Sequence, residues 1–214
     1  MHIFERERER ERERERNMFG RALLILVAVI GCCISSSSAA VSGVALKTST
    51  DFVKASCSRT TYPQLCYSSL VSHASAIQTS PKLLASTALS VALTKARSTS
   101  AVMVKLSKAQ GLKPREVGAM KDCVEELGDA VYELRRSIAE MDAPLRSKTF
   151  ELMISDVQTW VTAALTDETT CSDGFAGRMM NGKLKTIVRK HIKTVAHLTS
   201  NALALVNLYA SLCV

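Results

Sequence analysis

The stretch VGAMKDCVEELGDAVYELRRSIAEM, residues 117–141, decides the fold of this chain. Its apolar residues recur at alternating steps of three and four: Val117, Met120, Val124, Leu127, Val131, Leu134, Ile138 and Met141. This is the spacing of a helix that buries one face against a core. The pattern predicts a bundle helix from about Pro114 to Met141.

Three other segments show similar helical signals. Ser80-Pro81 predicts a helix that runs to about Lys108, and Asp142-Ala143-Pro144 predicts one that ends near Thr166, because proline is tolerated at the first helical position. A polar loop, 167–182, then precedes a fourth striped segment, 183–212. No stretch alternates as a strand would. The sequence therefore predicts an all-α fold, an up-down four-helix bundle over 81–212. Trp160 and His191 fall on the stripes, so we expect Trp160 in the core and His191 in the core or at its boundary.

Five cysteines outside the N-terminal 40 residues predict a domain held by disulfides. Cys57 and Cys66 flank Tyr62-Pro63, within a region, 48–80, that predicts a hairpin of short helices (51–56 and 64–72) and a linker. Adjacency favours Cys57–Cys66, together with a Cys123–Cys171 bridge from the second bundle helix to the loop after the third. Sequence alone permits other pairings. Cys213 is left over as a predicted free thiol.

Residues 1–40 predict a leader. Residues 5–16 alternate Glu and Arg, which is typical of a solvated low-complexity segment. Arg21, the apolar stretch 22–34 and the small residues up to Ala40 have the order of a secretory signal peptide, and the apolar stretch is too short to span a membrane. We expect cleavage near Ala40, a secreted domain over 41–214, and no membrane span in the mature chain.

Charge and motif content favour a binding protein over an enzyme. Residues 1–40 hold seven of the 28 basic and six of the 20 acidic residues, so the remainder carries a net charge of about +7 and favours anionic partners. We find no nucleic-acid-binding motif. Gly177–Leu184 resembles a phosphate-binding loop but has Leu184 where Ser or Thr is needed. His191 and His197 lie on different helix faces. We therefore predict no catalytic residue, no metal site, no cofactor and no nucleic-acid partner.

Several ordered segments resemble one known family. They are 51–57 (DFVKASC), 62–66 (YPQLC), 122–123 (DC), 156–166 (DVQTWVTAALT), 170–175 (TCSDGF) and 198–204 (LTSNALA). Together they resemble the plant invertase/pectin methylesterase inhibitor domain over about residues 48–212. The resemblance implies a four-helix bundle after an N-terminal helical hairpin, with disulfides Cys57–Cys66 and Cys123–Cys171. A fifth cysteine in this family usually lies inside the last helix, whereas Cys213 lies at the end of this chain.

The resemblance leaves two targets open, acid invertase and pectin methylesterase. Invertase inhibitors typically carry a Pro-Lys-Phe element before the third bundle helix, and residues 142–150 (DAPLRSKTF) lack it. This favours pectin methylesterase as the target. The resemblance then implies a secreted inhibitor that acts in the cell wall by covering the substrate cleft of the esterase, and the absence of a catalytic domain before Val214 predicts a stand-alone inhibitor. The alternatives are an invertase inhibitor, or a non-inhibitory apoplastic protein that adheres to pectin. In each case the net charge predicts weak contact with anionic pectin.

The second helix carries an acidic ridge of candidate partner-contact residues. Asp122, Glu125, Glu126, Asp129 and Glu133 recur at helical spacing, which usually indicates a solvated face. The ridge is unusual in an otherwise basic protein, and a bridge at Cys123 would hold it beside Thr170 and Asp173. The resemblance places partner contacts at Glu125, Asp129, Thr170 and Asp173.

Overall fold

The structure, a computed structural model, describes residues 44–144, 149–178, 180 and 182–213. The chain divides into two compact units, Met1–Lys47 and Thr48–Val214. The predicted leader, 1–40, lies outside the described residues. In the larger unit α1 covers 48–57, followed by α2 (Pro63–Leu70), a 3₁₀ turn (Val71–His73), α3 (Ala74–Ile77), α4 (Pro81–Ser107), α5 (Pro114–Asp142), α6 (Phe150–Asp173) and α7 (Lys183–Leu212).

The four long helices form the predicted bundle. Each of α4–α7 packs against two of the others, in the closed ring α4–α5–α6–α7–α4. Leu89, Leu134, Val157 and Leu205 meet in the main core, one from each helix. A second cluster, which includes Met103, Met120, Phe175 and Ile192, fills another part of the bundle. The described residues contain no strand, so the all-α prediction is confirmed.

Two of the three predicted proline helix starts are confirmed. Ser80 caps α4, since its side-chain oxygen accepts from the Leu83 N–H at 3.3 Å. At the start of α5 the Lys113 N–H donates to Glu116 Oε2 at 2.9 Å. The predicted start at Pro144 is wrong. Ala143 is extended (ψ 141°), as a residue before proline prefers, and α6 begins only at Phe150, where the Thr149 hydroxyl accepts from the Leu152 N–H.

The predicted end of the third bundle helix at Thr166 is also wrong, because α6 continues to Asp173. The segment is polar enough to resemble a loop, but its polarity belongs to one face of a helix. Cys171 is buried, while the exposed Thr169 and Thr170 hydroxyls donate to backbone carbonyls four residues earlier. Such local bonds satisfy threonine hydroxyls without interrupting the helix. Thr170 and Cys171 are therefore helical, and the loop that the sequence predicts over 167–182 begins only after Asp173.

Several residues expected on buried stripes are more exposed than predicted. Val117 of α5 is 51% exposed, and Val124, Val131 and Ile138 are half-buried. Trp160 is half-buried rather than a core residue, and the guanidinium carbon of Arg136 lies 4.2 Å from the centre of its ring. His191 is half-buried, at the boundary of the core.

The N-terminal hairpin is joined by Cys57–Cys66, with 5.5 Å between the Cα atoms, and contacts both α4 and α7. Its helices run further than predicted, since the 3₁₀ turn and α3 occupy most of the expected linker. None of the helices in the described ranges is long and apolar enough to cross a membrane.

Candidate functional site

All four candidate partner-contact residues are exposed on α5 and α6. Glu125 and Asp129 are four residues apart on α5, and Thr170 and Asp173 are three apart on α6. Residues at these spacings share a helix face. We call the surface formed by Glu125, Asp129, Thr170 and Asp173 the α5/α6 surface.

The Cys123–Cys171 disulfide joins the two helices beneath this surface. The two Cα atoms are 4.3 Å apart, and both side chains are buried. A methyl group added at Gly174 would lie 3.8 Å from Ala119 Cβ, so the end of α6 also lies close to α5. The disulfide therefore connects two helices, and not a helix and a loop as the sequence predicted. A helix-to-helix link positions Thr170 and Asp173 more rigidly than a loop would.

Asp167 lies beside the acidic ridge and was not singled out from the sequence. Burial and, to a lesser extent, the carboxylates of Glu126, Asp129 and Glu133 together raise its pKa to about 6. These three groups belong to α5 and Asp167 to α6, so the ridge faces α6. The i,i+3/i+4 spacing of the ridge could be seen in the sequence, but the place where α5 and α6 meet could not.

Glu168, the next residue on α6, is fully buried. Its Oε1 accepts a hydrogen bond from the Thr199 hydroxyl of α7 at 2.9 Å, whereas Oε2 has no protein partner. Burial raises the pKa of this carboxyl to about 8, so it is protonated at neutral pH. Glu168 therefore belongs to the bundle interior and has no access to a partner.

An aromatic and cationic cluster lies on the same pair of helices. Arg136 of α5 lies over Trp160 of α6 at 4.2 Å and near the ring of the exposed Tyr132 at 5.6 Å. Stacking of this kind holds the guanidinium in place and covers the indole. Tyr132, Trp160 and Arg136 are residue types that dominate binding energy at protein interfaces.

A concave surface lies between α6 and α7, with Tyr62 of the hairpin at its edge. The Tyr62 N–H donates to Asn201 Oδ1, and Asn201 Nδ2 donates to the Tyr62 carbonyl, both at 3.0 Å. The Tyr62 ring stacks on His197 with 3.5 Å between ring centres. Burial lowers the pKa of His197, and Lys193 lowers it further, so the imidazole is held toward its neutral form. The hairpin is thus fixed to α7 at this point.

The described residues offer little for metal or thiol chemistry. No group of three or more His, Cys, Asp or Glu in the described ranges is placed to hold a metal ion. Cys213 is exposed and forms no disulfide.

Comparison with known proteins places this geometry in a family. The family described as plant invertase/pectin methylesterase inhibitor matches residues 51–205. "Pectinesterase inhibitor 11" of Arabidopsis thaliana is 47% identical over 82% of this chain and 89% of its own length. A "21 kDa protein" of Daucus carota is 49% identical over 75% of this chain and 84% of its own.

The fold is also that of a solved inhibitor. The crystal structure of a mutant form of a pectin methylesterase inhibitor from Arabidopsis aligns with a TM-score of 0.58 at 23% identity. It covers 71% of this chain and 93% of the solved one. That comparison shows the fold, while the sequence match over most of the chain shows the family. The chain therefore belongs to the plant invertase/pectin methylesterase inhibitor family, and it is an inhibitor and not an enzyme.

Proposed function

We propose that this protein inhibits pectin methylesterase by forming a non-covalent complex that covers the substrate cleft of the esterase. The observation that carries this proposal is the 47% identity to a protein named pectinesterase inhibitor, over 82% of the chain. The absence of the Pro-Lys-Phe element from 142–150 also favours the esterase over acid invertase.

The α5/α6 surface is the proposed contact. Glu125, Asp129 and Asp173 are carboxylates on two helices that a disulfide holds together, and Thr170 adds a hydroxyl beside them. A rigid surface loses little conformational entropy on binding, which favours affinity. The proposed inhibition is steric: the inhibitor occupies the mouth of the cleft and excludes the polymer.

This surface also makes the proposed complex sensitive to pH. If the carboxylates bind basic groups of the esterase, losing their negative charge in acid weakens the complex. Asp167, which lies beside the ridge on α6, has a pKa of about 6. It therefore adds more negative charge next to the ridge at pH 7 than at pH 5.

We further propose that the protein acts outside the cell. The basic, apolar and small-residue order up to Ala40 supports a cleaved leader over 1–40 and an inhibitor domain over 41–214, and the two disulfides fit an oxidising compartment. The proposed setting is the cell wall, where an esterase meets pectin.

A mixing assay tests the proposed target. Release of methanol from methylesterified pectin by a plant pectin methylesterase, and sucrose hydrolysis by an acid invertase, are each measured with increasing amounts of purified protein. We expect the esterase to be inhibited to completion at about equimolar ratio and the invertase to be unaffected. Inhibition of the invertase alone would assign the other branch of the family. Inhibition of neither enzyme would favour an apoplastic protein that only adheres to pectin.

A further inference from the structure

The groove between α6 and α7 is a positively charged concave surface that the proposed esterase contact does not use. It encloses about 670 Å³, within the range typical of small-molecule sites. Arg189, Lys190 and Lys193 line it on the α7 side. None of its described lining residues is Asp or Glu, so the three cations meet no carboxylate within the groove.

The rest of the lining adds hydroxyl groups and apolar surface. Ser172 and Ser200 contribute hydroxyls, and Leu165 and Ile192 contribute apolar surface. Tyr62 forms one edge, held by its two hydrogen bonds with Asn201 and by its stacking on His197. A ligand that matches this lining carries negative charges, many hydroxyls and C–H faces. An acidic oligosaccharide has all three.

We propose that the α6/α7 groove binds a polyuronate chain, that is, pectin from which the methyl esters have been removed. This inference rests on the proposed function, because such a chain is the product of the esterase that the protein would inhibit. Each ester that is hydrolysed leaves a carboxylate, so the groove cations discriminate the product from the neutral substrate. The groove would hold the inhibitor where an esterase has already acted.

The two surfaces share α6 but have no residue in common. Thr169 and Ser172 line the groove, whereas Thr170 and Asp173 belong to the α5/α6 surface. With about 100° between neighbouring residues, Thr169 and Asp173 lie about 40° apart on the helix, so the two sites border each other on α6.

Titration calorimetry at low salt, with the purified protein, tests the proposal. The probes are a galacturonate oligomer, its fully methylesterified counterpart and polyglutamate of equal charge. The groove variant carries Arg189→Gln, Lys190→Gln and Lys193→Gln. A matched control removes three exposed charges elsewhere, with Lys54→Gln, Lys105→Gln and Lys108→Gln. Both variants have the same net charge.

We expect the galacturonate oligomer to bind, its esterified form not to bind, and polyglutamate to bind more weakly. The groove variant should lose ~10-fold or more in affinity for the oligomer, and the control less than ~3-fold, because long-range attraction alone depends on net charge. Equal losses in both variants, or equal affinity for polyglutamate, would show a diffuse charge effect and overturn the assignment. Inhibition of the esterase, assayed separately, should be unchanged in the groove variant. If the wild-type protein binds the oligomer but does not inhibit the esterase, the proposed function is refuted and the groove assignment stands.

Discussion

Replacing Glu168 by Gln should stabilise the protein at neutral pH but not in acid. The buried carboxyl accepts one hydrogen bond, from the Thr199 hydroxyl, and its second oxygen has no protein partner. Gln is the same shape, keeps an acceptor for Thr199 and carries no charge. The substitution therefore removes the proton equilibrium of this group and leaves its packing in place.

The magnitude follows from the raised pKa. The carboxyl titrates at about 8 in the folded protein and near its ordinary value of 4.5 when unfolded. Between these values folding takes up a proton, so the free energy of unfolding falls as pH rises through this window. At pH 7 the buried carboxyl therefore lowers the free energy of unfolding by at most about 3 kcal/mol, at ~1.4 kcal/mol per pH unit. Below pH 4.5 the group is protonated in both states and the cost vanishes.

Urea unfolding of the wild-type and Glu168→Gln proteins at several pH values between 4.5 and 8 measures this difference directly. The variant should gain stability progressively with pH, by about 1–3 kcal/mol at pH 7. Asp167 also titrates in this range, but it is present in both proteins and largely cancels. Glu125→Gln, an exposed substitution, serves as the control and should show little change. A gain that does not vary with pH, or a loss at every pH, would refute the idea that Glu168 is buried as a neutral acid.

Three further predictions concern the scaffold. Replacing Cys123 and Cys171 by Ser should cost about 4 kcal/mol in urea unfolding, because the bridge closes a loop of 48 residues; an unchanged midpoint would show that the bridge does not form. Asn201→Ala should cost about 2 kcal/mol and speed hydrogen exchange at the Tyr62 amide. Asn207→Ala, which removes the exposed hydrogen bond that Asn207 Oδ1 accepts from Gln158, should change neither; equal effects would contradict the role of Asn201 in fixing the hairpin. Arg136→Ala should expose the single tryptophan and shift its fluorescence emission to the red; an unshifted spectrum would argue against the stacked geometry.

The bundle could be predicted because its helices carry complete periodic signals. The apolar stripe at 117–141 and the helix start at Ser80-Pro81 each reflect a local preference for helix, and the folded structure keeps both. The end of α6 could not be read in the same way. Its last turn is polar on the solvent side and buries only Glu168 and Cys171, so a window of sequence resembles a loop. The end of α6 stays helical because it packs against α5, and the local amino-acid composition does not predict that contact.

Only part of the candidate surface could be predicted from the sequence. The helical spacing of the α5 carboxylates predicts the acidic ridge, and the family resemblance adds Thr170 and Asp173 to the predicted contact residues. The contact of Asp167 with the ridge and the groove beside Tyr62 depend on how helices cross. Asn201 and Tyr62 are 139 residues apart, yet they share two hydrogen bonds. Such pairs exist only after the bundle has formed, and no local pattern predicts them.

The central claim is that carboxylates of the α5/α6 surface hold the esterase, and an inhibition titration with charge-neutral variants tests it most directly. The test variant carries Glu125→Gln, Asp129→Asn and Asp173→Asn. The control removes three exposed carboxylates away from this surface, with Asp51→Asn, Asp142→Asn and Glu151→Gln. Inhibition constants for one pectin methylesterase are compared at the same pH and salt.

We expect the inhibition constant to rise at least ~10-fold in the test variant, because charges paired across an interface contribute strongly to affinity. The control should stay within ~3-fold of wild type, since its carboxylates lie outside the contact. Equal inhibition by the wild-type protein and the test variant, with a folded variant confirmed by circular dichroism, would contradict the account.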